Sequence, residues 1–286
     1  NEEKSHEIRA QLERKKAAIP SGYSSNSVLG ALNLKDLTLL ELKKKFPNYV
    51  PSKLDYTTAS HSSKIGHFKS QFEKGLHGIC FSAYNEFQNP GDTISREQIV
   101  KRLETIKGHT DWIRTFSCTN GHELIPQLAK EMGFKTLVGA WISNDLQNNE
   151  KELSSLKALL KSGAVDMASV GNEVLFRNDL SANALYGYMA QIKEVAGNIP
   201  VSFVDVYYEV IKHPKLVELS DVLMINCYPY WEGADIKFAS LYLQEMYQQA
   251  VSISGGKKVI IAETGWPSKG QNVIDAVPSE ENTMLY

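Results

Sequence analysis

From Leu76 onward the chain alternates short apolar runs with helix-patterned stretches, and this alternation limits its fold more than any other feature. The runs are LHGICFSAY (76–84), WIRTFS (112–117), KTLVGAW (135–141), DMASVGNE (166–173), PVSFVDVY (200–207), DVLMINCYPY (221–230) and KKVIIAETGW (257–266). Helical patterns lie between them, at 96–107, 120–133, 149–163 and 183–197. Strands joined through helices form right-handed βαβ units, and repeated units give a parallel sheet. Seven strands at roughly 30 residues per unit predict an α/β fold of the (β/α)8 TIM-barrel class. A doubly wound open sheet would place a Gly-rich turn after its first strand. Here the first strand runs into SAYNEFQNPGD instead.

An eighth strand and helix need roughly 30 further residues, and 20 follow Trp266. The expected fold is therefore a barrel lacking its eighth βα unit in this chain. Its last segment, PSEENTMLY (278–286), reads as a helix start capped by Ser279. Ahead of the barrel, Glu2–Ala18 is polar and helix-permissive, residues 20–27 read as a loop, and a helical pattern over Leu32–Phe46 stops at Pro47. PSKLDYTTASHSSK (51–64) comes next as a polar, turn-rich stretch. These features predict a helical and loop extension at 1–74, packed on or trailing from a catalytic barrel at 75–286.

Composition serves mainly to exclude. The net charge of -2 provides no field that would attract nucleic acid, and KKK (43–45) reads as a solvated helix face. No run approaches the roughly 20 apolar residues of a membrane span. Cys80, Cys118 and Cys227 each lie in an apolar run, where a free thiol is expected to be a small buried hydrophobe. HELIP (122–126) has Pro126 where a zinc-binding helix needs its second His. There is no P-loop and no Gly-x-Ser-x-Gly elbow. No metal and no cofactor is expected.

Barrel active sites form at the C-terminal ends of the strands. The residues there are Tyr84–Asn85, Arg114 and Phe116, Trp141, Asn172–Glu173, Asp205 and Tyr207, Tyr228–Trp231, and Glu263–Trp266. Aromatic faces suit the apolar face of a pyranose, while amides, guanidinium and carboxylates suit its hydroxyls. A glycosidase needs two carboxyl groups flanking the bond it cleaves, about 5 Å apart when configuration is retained. Glu173 and Glu263, on separate strands of one rim, can meet across a cleft at about that separation. A single Glu after a strand is more often solvated or salt-bridged. Two of them, in Gly171-Asn172-Glu173 and Glu263-Thr264-Gly265-Trp266-Pro267, favour catalysis.

VGNEV (170–174) and IAETGWPS (261–268) resemble the two catalytic signatures of glycoside hydrolase family 17, the β-1,3-glucanases and glucanosyltransferases. IRTFS (113–117), LVGAWIS (137–143) and YPYWEG (228–233) are similar to segments of its bacterial and fungal branch. The resemblance implies Glu173 as acid/base and Glu263 as nucleophile. It implies Asn172 as the amide on the sugar 2-hydroxyl and Tyr228 as hydrogen-bond partner of the nucleophile. Trp266, Trp231 and Trp141 become candidate sugar platforms, with Tyr84, Arg114 and Asp205 as further rim candidates. A core role suits Trp141 equally well, and Asp205 also reads as a strand-end cap.

The implied activity is cleavage of β-1,3-glucan of the laminarin type, through a glycosyl-enzyme intermediate. Two alternatives stand beside it: glucanosyl transfer with the same pair, and a non-catalytic glucan-binding barrel disabled by the missing unit. The implied partner is a β-glucan oligo- or polysaccharide. A polymeric substrate implies a secreted, periplasmic or cell-surface setting.

Overall fold

The computed structural model describes residues 39–49 and 58–286. Seven strands, β1 (Leu76–Cys80), β2 (Thr110–Arg114), β3 (Lys135–Ala140), β4 (Met167–Asn172), β5 (Val201–Val206), β6 (Leu223–Asn226) and β7 (Val259–Glu263), form one sheet in sequence order. All six ladders are parallel. Such a sheet is the wall of a TIM-type barrel, nearly closed and short of one unit. Among the described residues no strand pairs with the outer edge of β1 or β7. β1 is accordingly the most exposed strand, and its Cys80 is exposed while Cys118 and Cys227 are buried. The expectation that all three thiols are buried thus fails at Cys80, because β1 has a neighbour on one side only.

The helices are α1 (Leu39–Lys45), α2 (His61–Phe72), α3 (Arg96–Ile106), α4 (Ile125–Glu131), α5 (Leu146–Ser162), α6 (Ala182–Ala196), α7 (Tyr207–Lys212), α8 (Pro214–Leu219), α9 (Ala239–Ile253) and α10 (Glu280–Leu285). Their starts obey local chemistry. Ser95, Asp145, Ser181 and Ser279 each accept a backbone N–H of the first turn of α3, α5, α6 and α10. Gly163, at φ +76°, stops α5 in the left-handed region that L side chains avoid.

Side chains alternate across each strand, so one parity meets the helices and the other fills the barrel. Val201 and Phe203 of β5, and Leu223 and Ile225 of β6, join the helix-side core. Leu137, Val204 and Met224 pack together inside the barrel with Met167, Ile260 and Ala262.

Two ladders break this alternation. Between β4 and β5, Ser169 faces Ser202 but Asn172 faces Val204, so β4 carries one extra residue. Between β6 and β7, Ile225 faces Ile261 but Asn226 faces Glu263, so β7 carries one extra residue too. The other four ladders keep register. A bulge re-aims the side chains after it, and both bulges lie immediately before a candidate catalytic glutamate.

Of the expected N-terminal elements, the polar stretch 2–18, the loop 20–27 and the first part of the 32–46 helix lie outside the described residues. The described part of that helix is α1, which packs on α9. Lys45 Nζ reaches the buried Glu245 at 2.6 Å, and Lys43 lies over the Phe238 ring. The stretch read as turn-rich up to residue 64 instead enters α2 at His61, with Ser60 as its cap. A polar composition without an apolar stripe hid this helix. It packs against α10, with Lys64 Nζ 2.9 Å from Glu281. No described helix is long and apolar enough to cross a membrane.

Candidate active site

Arg114, the last residue of β2, has its guanidinium almost wholly buried at the barrel mouth. One nitrogen donates to Glu263 Oε1 at 2.6 Å and another to Asn172 Oδ1 at 2.8 Å. From the end of β6, Asn226 Nδ2 donates to Glu173 Oε1 at 2.9 Å and to Asn172 Oδ1 at 3.2 Å. Tyr228 closes the chain of contacts by donating to Glu263 Oε2 at 2.7 Å. The two glutamates, from β4 and β7, thus stand in one network with Arg114, Asn172, Asn226 and Tyr228.

The two carboxyl groups have unlike surroundings. Both oxygens of Glu263 are engaged, one by a guanidinium and one by a phenol, which sets its orientation and matches its negative charge. Burial raises the Glu173 carboxyl above its ordinary value, and the charge of Glu263 raises it further. The amide of Asn226 and the cations Arg177 and Arg114 act in the opposite direction but do not cancel the shift. Burial beside Glu263 also pushes the Tyr228 phenol up, so it remains a hydrogen-bond donor. One carboxyl suited to holding a proton and one matched by a cation are what an acid and a nucleophile require.

Asn172 is placed by the backbone. Gly171 lies at φ +79° and Glu173 at φ +53°, so the chain turns left-handed on either side of it. The Oδ1 of Asn172 accepts from both Arg114 and Asn226. Its Nδ2 has no partner among the described residues and is left as a donor toward a ligand.

The other expected sugar contacts divide. Trp231 is 47% exposed and Trp141 36% exposed, so both offer open ring surface. Trp266 does not fit the expected platform: it is 6% exposed, its Nε1–H is bound to Val277 O at 2.9 Å, and Tyr230 and Tyr286 pack on its ring. α10 brings Tyr286 there, and Thr283 of that helix donates to Trp266 O. Asp205 also departs from the expected sugar contact. It is fully buried on the helix-side parity of β5, and it accepts the backbone N–H groups of Leu175 and Val206 at 2.9 Å each. Burial pushes its carboxyl up to about 8. It anchors the turn after Glu173 instead, which is closer to the cap reading. Tyr84 is partly buried, with its hydroxyl taken by Gly91 N–H and its ring edge on His122. Arg114 serves the two carboxylate strands, and its ring neighbour is Phe116 at 4.4 Å.

Asn226 is the functional candidate that sequence reading missed. The sixth run was extended through Tyr230, which drew attention to its aromatic end. The available signal was an amide within the apolar stretch LMIN, where a buried polar side chain requires a partner.

A barrel mouth carrying two glutamates, a cation and exposed tryptophans defines the class of protein as a (β/α) barrel with a paired-carboxylate site. The family comes from comparison: residues 78–286 match the BtgE/BtgC glycoside hydrolase domain, and the chain belongs to glycoside hydrolase family 17. It is 30% identical over 220 residues to the probable family 17 glucosidase SCW10 of Saccharomyces cerevisiae, covering 73% of this chain and 54% of that protein. It is 26% identical to a glucan 1,3-beta-glucosidase of the same yeast, covering 69% of this chain and 71% of that protein. Among solved structures, an active-site mutant of the Rhizomucor miehei beta-1,3-glucanosyltransferase in complex with laminaritriose superposes with a TM-score of 0.66. The identity there is 33%, over 74% of this chain and 79% of that one. The chain spans about half the length of SCW10.

Proposed function

We propose that the protein is a retaining β-1,3-glucan hydrolase with Glu173 as acid/base and Glu263 as nucleophile. The observation that carries this reading is the pairing of two glutamates, in unlike environments, through Arg114, Asn172 and Asn226. Family membership and the glucan-acting relatives support the substrate class. In this reading residues 75–286 carry the chemistry and residues 1–74 form an extension. Action on a polymeric glucan points to a secreted or cell-surface setting.

Glu263 attacks the anomeric carbon while Glu173 gives its proton to the departing glycosidic oxygen. The bond to the leaving sugar breaks as the bond to Glu263 Oε forms, and Glu173 is left ionised. Water then enters, loses a proton to Glu173 and displaces Glu263 from the anomeric carbon. Two inversions give retention. The free Nδ2 of Asn172 donates to the 2-hydroxyl of the sugar being transferred, a contact that strengthens as charge develops at the anomeric carbon. Trp141 and Trp231 stack on flanking sugars.

Proton NMR of the first products from laminari-oligosaccharides tests the mechanism. The β-anomer is expected to appear first, with the α-anomer growing in only by mutarotation. Early α-anomer would overturn the retaining assignment. Glu263→Gln is expected to lower kcat by a factor of about 10³ or more while laminari-oligosaccharides still bind. If the parent binds them without turnover, the non-catalytic glucan-binding reading replaces this one.

The likeness to a glucanosyltransferase favours a second reading, in which a sugar hydroxyl replaces water as acceptor. Products longer than the substrate at high oligosaccharide concentration would select transfer over hydrolysis.

A further inference from the structure

Arg177 lies four residues after Glu173, in the loop between β4 and α6. No family motif named above includes it, yet its guanidinium ties together groups from the ends of β3 and β4. One nitrogen donates to the backbone carbonyl of Asn172. Another donates to Ile142 O at 3.0 Å, just beyond β3. Asp179 Oδ2 accepts from Nε at 2.8 Å and lies 2.8 Å from Nη2 as an ion pair, which fixes the guanidinium in place. The guanidinium lies over the Trp141 ring, with Cζ 4.5 Å from its centroid.

These contacts converge on two things the proposed chemistry needs. Asn172 O belongs to the peptide that joins Asn172 to Glu173, and Glu173 holds a left-handed φ that costs a non-glycine residue energy. That conformation persists only where its surroundings fix it. Glu173 N–H donates to Val204 O at 2.8 Å, Arg177 N–H returns to Glu173 O at 2.9 Å, and Asp205 takes Leu175 N–H. The guanidinium adds a further constraint on this turn, at the Asn172 carbonyl. Trp141, for its part, is backed by a cation on one face, which leaves its exposed surface for a sugar.

We propose that Arg177 is a positioning residue that holds the acid/base turn and the Trp141 platform in one register, so that sugar stacking and proton donation are set together. The proposal rests on the reading of Glu173 as acid/base and of Trp141 as a sugar contact. A lysine at this position would carry the charge but lack the planar fork and the stacking face. Charge and geometry are therefore separable.

Arg177 also belongs to the electrostatic surroundings of Glu173. The charged and titratable groups around that carboxyl are Arg177 from its own loop, Arg114 from β2, Asp205 from β5, Tyr208 from α7, Tyr228 from beyond β6 and Glu263 from β7. Arg177 and Arg114 are the cations among them, and each favours the ionised form.

The test compares Arg177→Lys and Arg177→Met with the parent. Two measurements are made, steady-state kinetics on laminari-oligosaccharides across pH and direct titration of Glu173 by carbon NMR. For the titration the glutamates carry a ¹³C-labelled carboxyl, and the Glu173 signal is identified by its loss in Glu173→Gln. Arg177→Met is expected to move the Glu173 titration, and the basic limb of kcat/KM, to higher pH. Arg177→Lys is expected to leave the limb near its parent position but to raise KM and lower kcat about tenfold, because stacking and the fork are lost. Parent-like titration in Arg177→Met, or parent-like kcat and KM in Arg177→Lys, would overturn the proposal. Titration needs no turnover, so an inactive parent would count against the proposed activity and leave this inference decided by NMR. If Arg177→Met does not fold, Arg177→Lys still decides it.

Discussion

In the proposed mechanism the chemistry turns on Glu173, and its environment makes a pH prediction with a definite sign. Burial raises its carboxyl, and Glu263 adds to the shift. A general acid must be protonated to work, so activity falls as pH climbs through its pKa. The basic limb of kcat/KM is expected above the ordinary glutamate range, because that limb reports the acid of the free enzyme. In Glu173→Gln the limb should disappear, with kcat on glucan falling about 10²- to 10⁴-fold. Substrates whose leaving group needs no protonation should lose less. An unchanged basic limb in that variant would assign the acid elsewhere.

At the scale of the element, β4 and β7 were legible as apolar runs ending in glutamate, but the turns of Asn172 and of Glu263 into the mouth were not. Simple alternation puts Val170 and Asn172 on the same side of β4, and Val170 faces the helix-side core. The same rule puts Glu263 with Ile261. A one-residue bulge in each strand reverses this. In β4 the device is visible in Gly171, at φ +79°, where an added Cβ would stand 2.5 Å from Val174 Cγ2. Gly171→Ala should therefore destabilise the fold by at least about 2 kcal/mol, combining left-handed strain of roughly 1–2 kcal/mol with that overlap. Denaturant unfolding would measure it, and activity should fall further than stability because Glu173 is two residues away. A variant as stable and active as the parent would show that the turn needs no glycine.

At the scale of the whole molecule, the segment before the barrel is bound to it through side chains. Glu245, in the middle of α9, is 1% exposed and meets Lys45 of α1 from one side and Gln249 from the other. Removing the lysine leaves a buried carboxylate short of its cation. Lys45→Ala is expected to cost about 1–2 kcal/mol, less than a fully buried pair because Lys45 is half exposed. Once Glu245→Gln has removed the buried charge, the same Lys45→Ala change should cost little. Thermal or urea unfolding of the parent, the two single variants and the double variant would show it. Additive effects would mean that α1 adds no stability through this contact.

The sequence by itself determined the α/β class, the strand order and the placing of two glutamates at strand ends, because periodicity and strand-end chemistry are local and survive in a linear reading. It also carried Ser279 as the α10 cap, which lies where the pattern put it. What only the tertiary structure decided was which polar side chains share a site. Asp205 and Asn226 both lie at the ends of apolar strands. Parity turns Asp205 toward the helices and Asn226 into the mouth. Trp266 and Trp231 both follow a strand within a few residues, yet α10 covers the first and leaves the second open. Exposure and hydrogen-bond partnership belong to residues far apart in the chain, and only folding brings those residues into contact.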